Sequence, residues 1–153
     1  MRQLSTGDFN RLNNHVPDFV GGGPSDAPTG QFKRPFSIVM NTESHSEPGD
    51  HWVAMYVKPK TFIFLDSYGR SPSDISFPPK FRQTVKRLGK GRKLIYNKKL
   101  VQALTSNACG YHAIYLLDSL ALNKPLKTIV KVFDANLASN DQFVLKYYKK
   151  NFM

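Results

Sequence analysis

Two apolar segments separated by a short proline-containing turn constrain the fold of this chain more than any other feature. The first segment is His51–Val57 and the second is Thr61–Asp66, with Lys58-Pro59-Lys60 between them. Two β-rich runs around such a turn predict a β-hairpin. Because both alternating faces of each run are apolar, we expect the hairpin to lie inside a sheet that is covered on both sides.

The remaining pattern predicts strands on either side of the hairpin and helices in the second half of the chain. Strands are predicted at 36–40 and 93–97, a turn-rich loop at 21–30, and helices at 80–88, from 109 onward, near 125–135 and from 139 onward. A length of 153 residues is typical of one domain. We therefore predict a single domain that covers residues 1–153.

Cys109 is the only cysteine in the chain, which rules out an internal disulfide and a cysteine-based zinc cluster. We expect no metal site, and the thiol is either buried and inert or a nucleophile. The N-terminus lacks the apolar stretch of a secretory signal, and no apolar run approaches the roughly 18 residues of a membrane span. A reducing compartment and no membrane association are expected.

Positive charge is concentrated in the second half of the chain. Up to Asp74 there are eight acidic and seven basic residues, whereas the remainder has three acidic and fifteen basic residues. A field of one sign favours a polyanionic partner, with nucleic acid the first candidate, although a basic surface that serves solubility alone is the alternative. The candidate DNA contacts are Lys86, Arg87, Arg92 and Lys93.

The geometry of the predicted hairpin brings His51 close to Asp66. If Lys58-Pro59 forms a two-residue turn, His51 lies directly opposite Asp66, with the two Cβ atoms about 5 Å apart. A turn one residue later puts Val53 opposite Asp66 and leaves His51 as a diagonal neighbour. In either register the carboxylate can hold an imidazole nitrogen.

Cys109 and Gly110 stand at the predicted start of a helix. With Ser106 or Asn107 as the N-cap, Cys109 falls in the first turn, where unpaired amides and the helix dipole favour a thiolate. Gly110 would let a substrate backbone come close. A thiolate that attacks a carbonyl group needs donors for the resulting oxyanion, and the Cys109 amide and the Gln102 side chain are the candidates.

Each candidate also has a purely structural interpretation. A lone cysteine more often packs than reacts, Asp66 can simply end a strand, and Gln102 can be an ordinary surface residue. The other histidines that compete for the role of base are His15, His45 and His112. His112 is the serious rival because it lies three residues from Cys109, but it would sit one turn further into the helix, whereas a base needs its nitrogen about 3 Å from the thiol.

The order of these residues resembles that of the adenovirus maturation proteases and their relatives, the ubiquitin-like-protein proteases. The resemblance covers roughly residues 32 to 122. Its motifs are Val39–Thr42 before Gly49–Trp52, the acidic segment Phe64–Gly69, and the Gln and Cys-Gly segment Gln102–Gly110. It implies an α+β fold in which a central mixed β-sheet packs against helices, one of them beginning with the cysteine.

The resemblance also implies a role for each candidate: Cys109 as nucleophile, His51 as base and then acid, Asp66 as the residue that orients His51, and Gln102 with the Cys109 amide as oxyanion hole. Three features depart from the adenoviral pattern. The acid is Asp66 where the adenoviral enzymes usually have Glu, the chain is shorter, and no second cysteine is available to tether an activating peptide.

We therefore expect a monomeric cysteine endopeptidase that cleaves viral precursor structural proteins, with small residues such as Gly at the cleavage site. The chemistry requires no cofactor, although the family resemblance and the charge point to DNA as a stimulating cofactor. The expected location is the virion and the interior of the host cell, in the nucleus. The alternatives are a processing protease for ubiquitin-like modifiers and a basic nucleic-acid-binding module without catalysis.

Overall fold

A five-stranded mixed β-sheet forms the centre of the computed structural model, which describes residues 1–46 and 49–153. The strands are β1 (Phe19–Gly23), β2 (Phe36–Asn41), β3 (Trp52–Val57), β4 (Thr61–Leu65) and β5 (Lys93–Tyr96). Their order in the sheet is β1-β2-β3-β4-β5. The pairs β2–β3 and β3–β4 are antiparallel, whereas both edge strands pair in parallel.

The helices lie on both faces of this sheet. They are a 3₁₀ helix (Thr6–Asn14), α1 (Pro79–Gly89), α2 (Cys109–Ala121), α3 (Leu126–Val130) and α4 (Leu137–Phe152). Apolar residues of α1 join one face of β3 and β4, whereas α2, α4 and the 3₁₀ helix cover the other. The expected α+β fold with a central mixed sheet is therefore confirmed.

The register of the β3–β4 hairpin is the second of the two that the sequence allowed. Ala54 pairs with Leu65 and Val57 with Phe62, and the Lys58 amide donates to the Thr61 carbonyl at 2.9 Å. The turn is therefore Pro59-Lys60 rather than Lys58-Pro59. Extending the register leaves His51 diagonal to Asp66.

Strand β1 was not predicted, because residues 21–30 have turn composition throughout. Gly21 has φ of 126°, and a Cβ on Gly22 would lie 3.1 Å from the Phe9 ring. Both positions therefore favour glycine where this strand packs against the 3₁₀ helix. In this segment, parallel pairing with β2 outweighs the local preference for turns.

Three predicted helix boundaries also differ from the structure. Helix α3 is one short turn within the predicted 125–135 segment. Helix α4 begins before Ser139, because the Asn136 side chain accepts from the Ser139 amide and acts as the N-cap. Ala108 occupies the N-cap position of α2, without a side-chain cap, so neither Ser106 nor Asn107 has that role. Within residues 1–46 and 49–153, no helix has both the length and the apolarity to cross a bilayer.

Candidate active site

His51 and Asp66 form a buried hydrogen-bonded pair where β3 begins and β4 ends. The His51 Nε2 atom lies 2.6 Å from Asp66 Oδ1, and His51 is 5% exposed and Asp66 fully buried. The ring of Tyr68 stacks on the imidazole, with centroids 4.7 Å apart. The imidazole is therefore fixed both in its plane, by the carboxylate, and across its face, by the aromatic ring.

Cys109 is the first residue of α2. Its thiol is close enough to the imidazole to affect the ionisation of His51. Since Asp66 engages Nε2, Nδ1 is the ring nitrogen left for the thiol. The fold thus joins two elements that are far apart in sequence, the β3–β4 hairpin and α2, in the order Asp66, His51, Cys109.

The surroundings of His51 favour its protonated form. Burial by itself lowers the pKa of His51, but the hydrogen bonds and charges of Asp66 and Cys109 outweigh burial and raise the pKa to about 9. At neutral pH the imidazole therefore carries a proton on both nitrogens. A protonated imidazole and a helix N-terminus both stabilise negative charge on the neighbouring sulfur.

The two oxygens of Asp66 have different partners. Oδ1 accepts from His51 and from the Tyr68 amide at 3.3 Å, whereas Oδ2 accepts from Arg70 Nε at 2.7 Å. Burial by itself raises the pKa of Asp66, but the hydrogen bonds from His51 and Arg70 outweigh burial and hold this pKa below its ordinary value. Asp66 is therefore an anion at neutral pH, as an orienting carboxylate must be.

Asn97 ties the backbone of Asp66 to the strand beside it. The Asn97 side chain donates to the Asp66 carbonyl at 2.6 Å and accepts from the Asp66 amide at 3.1 Å. These two side-chain bonds hold Asp66 just beyond the last β4–β5 pair, Phe64 with Tyr96. The carboxylate is consequently carried on a rigid backbone.

Gln102 is fully buried and its amide is held at both ends. Ser67 Oγ donates to Oε1, and Nε2 donates to the Ser106 carbonyl at 3.1 Å and to Ser106 Oγ at 3.3 Å. The amide nitrogen therefore faces the segment that leads into Cys109. These bonds orient the amide with its donor end towards the start of α2, where Ser106 accepts from it.

Gly110 has a different role from the expected one. A Cβ on Gly110 would lie 3.0 Å from Leu4 Cβ, so the space beside this glycine is filled by the N-terminal segment instead of being open to a substrate backbone. Trp52 Nε1 donates to the Leu4 carbonyl at 2.9 Å. Gly110 thus allows Leu4 to pack against the start of α2 and the start of β3.

The three rival histidines all have other partners. His112 Nε2 lies 2.9 Å from Asp141 Oδ1, and burial lowers the pKa of His112, because the Asp141 contact does not compensate for it. His15 stacks on Phe152, and His45 pairs with Asp26. Unlike His112, His51 interacts with Cys109.

The predicted DNA contacts lie around α1 and β5. Lys86, Arg87 and Lys93 are exposed, and Lys86 and Arg87 border an open groove together with Lys90. Arg92 differs from the other three. Its guanidinium donates to the carbonyl groups of Lys58 at 2.8 Å, Leu88 at 3.1 Å and Lys90 at 3.2 Å. Arg92 therefore braces the end of α1 against the hairpin turn.

The chain matches no protein-family model and no curated protein by sequence. Its backbone is similar to the crystal structure of ASFV pS273R protease, with a TM-score of 0.52, 15% identity, and coverage of 91% of this chain and 62% of that one. The fold is similar to that of the ASFV pS273R protease. The selenomethionine form of that protein gives a TM-score of 0.46 at 18% identity, covering 71% of this chain and 42% of the other.

The chain spans less than two thirds of the length of both structures. At these identities the likeness concerns the fold. It agrees with the protease fold that the sequence motifs led us to expect, whereas the adenoviral assignment stays a prediction.

Four residues around the site escaped the sequence interpretation: Ser67, Tyr68, Arg70 and Asn97. Three of them lie within four residues after Asp66, in or next to a segment that the resemblance singled out only for its acid. The polar residues Ser67, Tyr68 and Arg70 beside Asp66 were a usable signal. A buried carboxylate needs hydrogen-bond donors, and residues next to it in sequence can supply them. Asn97 carried no such signal, since strand pairing alone brings it to Asp66.

Proposed function

We propose that the protein is a cysteine protease that uses Cys109, His51 and Asp66 as a catalytic triad. The observation that carries this proposal is the buried Asp66–His51 hydrogen bond of 2.6 Å, together with the proximity of the Cys109 thiol to the same imidazole. A nucleophile, a base and an orienting acid in this order define such a triad whatever their order in the chain. The protease fold of the structural neighbour supports the same reaction.

In the proposed mechanism, Cys109 Sγ attacks the carbonyl carbon of the scissile peptide, and the carbonyl oxygen takes the negative charge. The Cys109 amide and Gln102 Nε2 donate to that oxygen. As the intermediate collapses, the C–N bond breaks, His51 gives its proton to the leaving amine, and a thioester remains. Water, deprotonated by His51, then attacks the thioester carbonyl, the C–S bond breaks, and the carboxylic acid leaves, which restores the Cys109 thiolate beside protonated His51.

The proposed substrates are precursor structural proteins of a virus, cleaved internally at sites that contain glycine. The basis for this choice is the similarity of the sequence motifs to adenoviral maturation proteases. Processing of ubiquitin-like modifiers is the second candidate, because the ubiquitin-like-protein proteases share the same order of residues and use Asp where Asp66 stands. Profiling over a peptide library distinguishes them: preferential cleavage of modifiers that end in Gly-Gly would favour the second.

The test of the protease proposal is peptide hydrolysis by the purified chain and its Cys109→Ala variant. We expect the wild type to cleave and the variant to show no turnover while melting at a similar temperature. A thiol-alkylating reagent should inactivate the wild type with one label per chain. Undiminished hydrolysis by Cys109→Ala would refute the triad.

We further propose that the α1–β5 surface, formed by Lys86, Arg87 and Lys93, binds duplex DNA without sequence preference. The observation that favours it is the exposure of these three side chains along an acid-free stretch of sequence between Asp74 and Asp118. Charge of one sign on flexible side chains attracts phosphates but cannot read bases.

A further inference from the structure

Asp66 has a second charged neighbour that the catalytic triad does not use. Arg70 donates to Asp66 Oδ2 twice, from Nε at 2.7 Å and from its backbone amide at 3.3 Å. The other carboxylate oxygen faces His51 at 2.6 Å. Because Asp66 is fully buried, each oxygen needs a donor, and the two donor groups lie on opposite sides of the carboxylate.

Arg70 is itself held in place by the segment that follows it. Its guanidinium carbon lies 3.9 Å from the centroid of the Phe77 ring, and Nη1 donates to Ser76 Oγ at 3.1 Å. Ser76 in turn donates to Asp74 at 2.7 Å. The planar fork of an arginine fits this combination of stacking and directed donation, which the ammonium group of a lysine cannot reproduce.

A carboxylate can rotate about the bond to its Cβ atom, and the terminal torsion of Asp is broad. The Arg70 side chain makes the shortest contact to Oδ2, at 2.7 Å, and so helps to fix where Oδ1 points. If that contact were lost, two longer bonds from the Tyr68 and Arg70 amides, both of 3.3 Å, would remain, and the carboxylate could turn away from His51.

We propose that Arg70 is a positioning residue, which fixes the Asp66 carboxylate in the orientation that hydrogen-bonds to His51. This inference rests on the proposed protease function. It assigns Arg70 no contact with substrate, so its effect on the reaction passes entirely through Asp66 and His51.

The position of Arg70 also affects the ionisation of Asp66. The titratable or charged groups that face this carboxylate are His51, Tyr68 and Arg70, with Asp74 beyond Arg70. Cys109 lies across the imidazole. Removal of the Arg70 charge should raise the pKa of Asp66, so the carboxylate would take up a proton at a higher pH than in the wild type.

The experiment compares wild type, Arg70→Gln and Arg70→Lys, with Arg82→Gln as the matched control. Arg82 donates from Nε to the Phe77 carbonyl at 3.1 Å and so contacts the same segment without touching Asp66. The readouts are kcat and KM for a peptide, the pH profile of kcat/KM, and the folded fraction from thermal melting.

For Arg70→Gln we expect kcat per folded molecule to fall by roughly 10- to 100-fold, the cost of a small misplacement of catalytic groups, with KM nearly unchanged. The acid limb of the pH profile should move to higher pH. Arg70→Lys should return the acid limb towards the wild-type position, because it keeps the charge, while kcat stays low. Arg82→Gln should match the wild type.

Wild-type kcat per folded molecule and an unmoved acid limb in Arg70→Gln would overturn the inference, even if the variant melts at a lower temperature. If Arg70→Gln does not fold, Arg70→Lys decides, and a wild-type kcat in that variant would overturn the inference as well. Inactivity of the wild type would instead refute the proposed protease function.

Discussion

At the scale of single residues, His51 holds its proton more strongly than an ordinary histidine. Burial alone would favour the neutral ring, yet Asp66 and Cys109 together reverse that preference and raise the pKa to about 9. A proton that already rests on the imidazole before substrate binds is available for the leaving amine. The main contribution of His51 to the proposed reaction is therefore as an acid, followed by its role as base towards water.

We predict that Asp66→Asn moves the alkaline limb of kcat/KM to lower pH. In the wild type activity should decline near pH 9, where His51 loses its proton. An amide in place of the carboxylate leaves burial as the dominant influence, so His51 deprotonates at a lower pH. The control is Asp141→Asn, which alters the second buried His–Asp pair and should leave the alkaline limb in place. If Asp141→Asn shifted the limb and Asp66→Asn did not, the base would be His112.

Gln102→Ala is predicted to lower kcat by about 100- to 1,000-fold with little change in KM, because the lost amide would donate to charge that exists only near the transition state. Asn107→Ala is the control, since it removes an exposed amide from the same segment. Steady-state kinetics on both variants provides the test. A rise in KM at constant kcat would make Gln102 a substrate-binding residue.

At the scale of elements, the turn after β4 joins two parts of the candidate site. The Ser67 carbonyl accepts from the amides of Val101 and Gln102 at 2.9 and 3.2 Å, so the segment that carries Gln102 is fastened directly to the residue after Asp66. This close approach is possible because Gly69 has φ of 75° and no side chain. A Cβ at that position would lie 2.8 to 2.9 Å from backbone atoms of Lys99 and Leu100.

We therefore predict that Gly69→Ala destabilises the protein more than Gly91→Ala. Both glycines have φ of 75°, so both substitutions carry the cost of a left-handed conformation, about 1–2 kcal/mol. Gly91 has open space around it, whereas at Gly69 the backbone must also shift, which adds about 1–3 kcal/mol.

Urea unfolding of the two variants measures the difference directly. Hydrolysis by Gly69→Ala should be reduced even under conditions where it is folded, because Gln102 is displaced from Asp66. Equal free energies of unfolding for the two variants would contradict the proposed close approach.

At the scale of the whole molecule, the basic surface and the candidate active site lie on different parts of the sheet. Helix α1 covers the face opposite to the one that packs against α2, and β5 is an edge strand. DNA on the α1–β5 surface would therefore leave the α2 side free for a polypeptide substrate. A protease held on packaged DNA would meet its structural-protein substrates along that polymer.

We predict that the chain binds unrelated duplex sequences equally, with log affinity falling by about 0.9 per log unit of salt for each phosphate contacted. Charge reversal at Lys86, Arg87 and Lys93 should weaken binding and reduce this slope. Reversal at Lys149 and Lys150, exposed on α4, is the matched control. Titration of labelled duplexes at several salt concentrations tests this, and affinity that is indifferent to the first set of reversals would exclude this surface.

The sequence was sufficient to predict the β3–β4 hairpin and α2, which carry the candidate site, but not the edge strand β1. The apolar runs before and after Pro59 were sufficient to predict the hairpin and its interior position, because both faces of a covered strand must be apolar. The helix that begins at Cys109 followed from its spacing of apolar residues. Strand β1 was missed, because its glycines serve contacts with Phe9 and β2 that lie outside any local pattern.

The sequence by itself determined most of the strand and helix pattern, though not β1, and the residue types available for chemistry: one cysteine, a histidine before one strand and an acid after the next. Only the tertiary structure decided the hairpin register, the partnership of Asp66 with Arg70, the tie from Asn97, and the packing of Leu4 on Gly110. The physical reason is that periodicity is a local property of the chain, whereas the partners of a buried polar group are set by segments that packing brings together from distant positions.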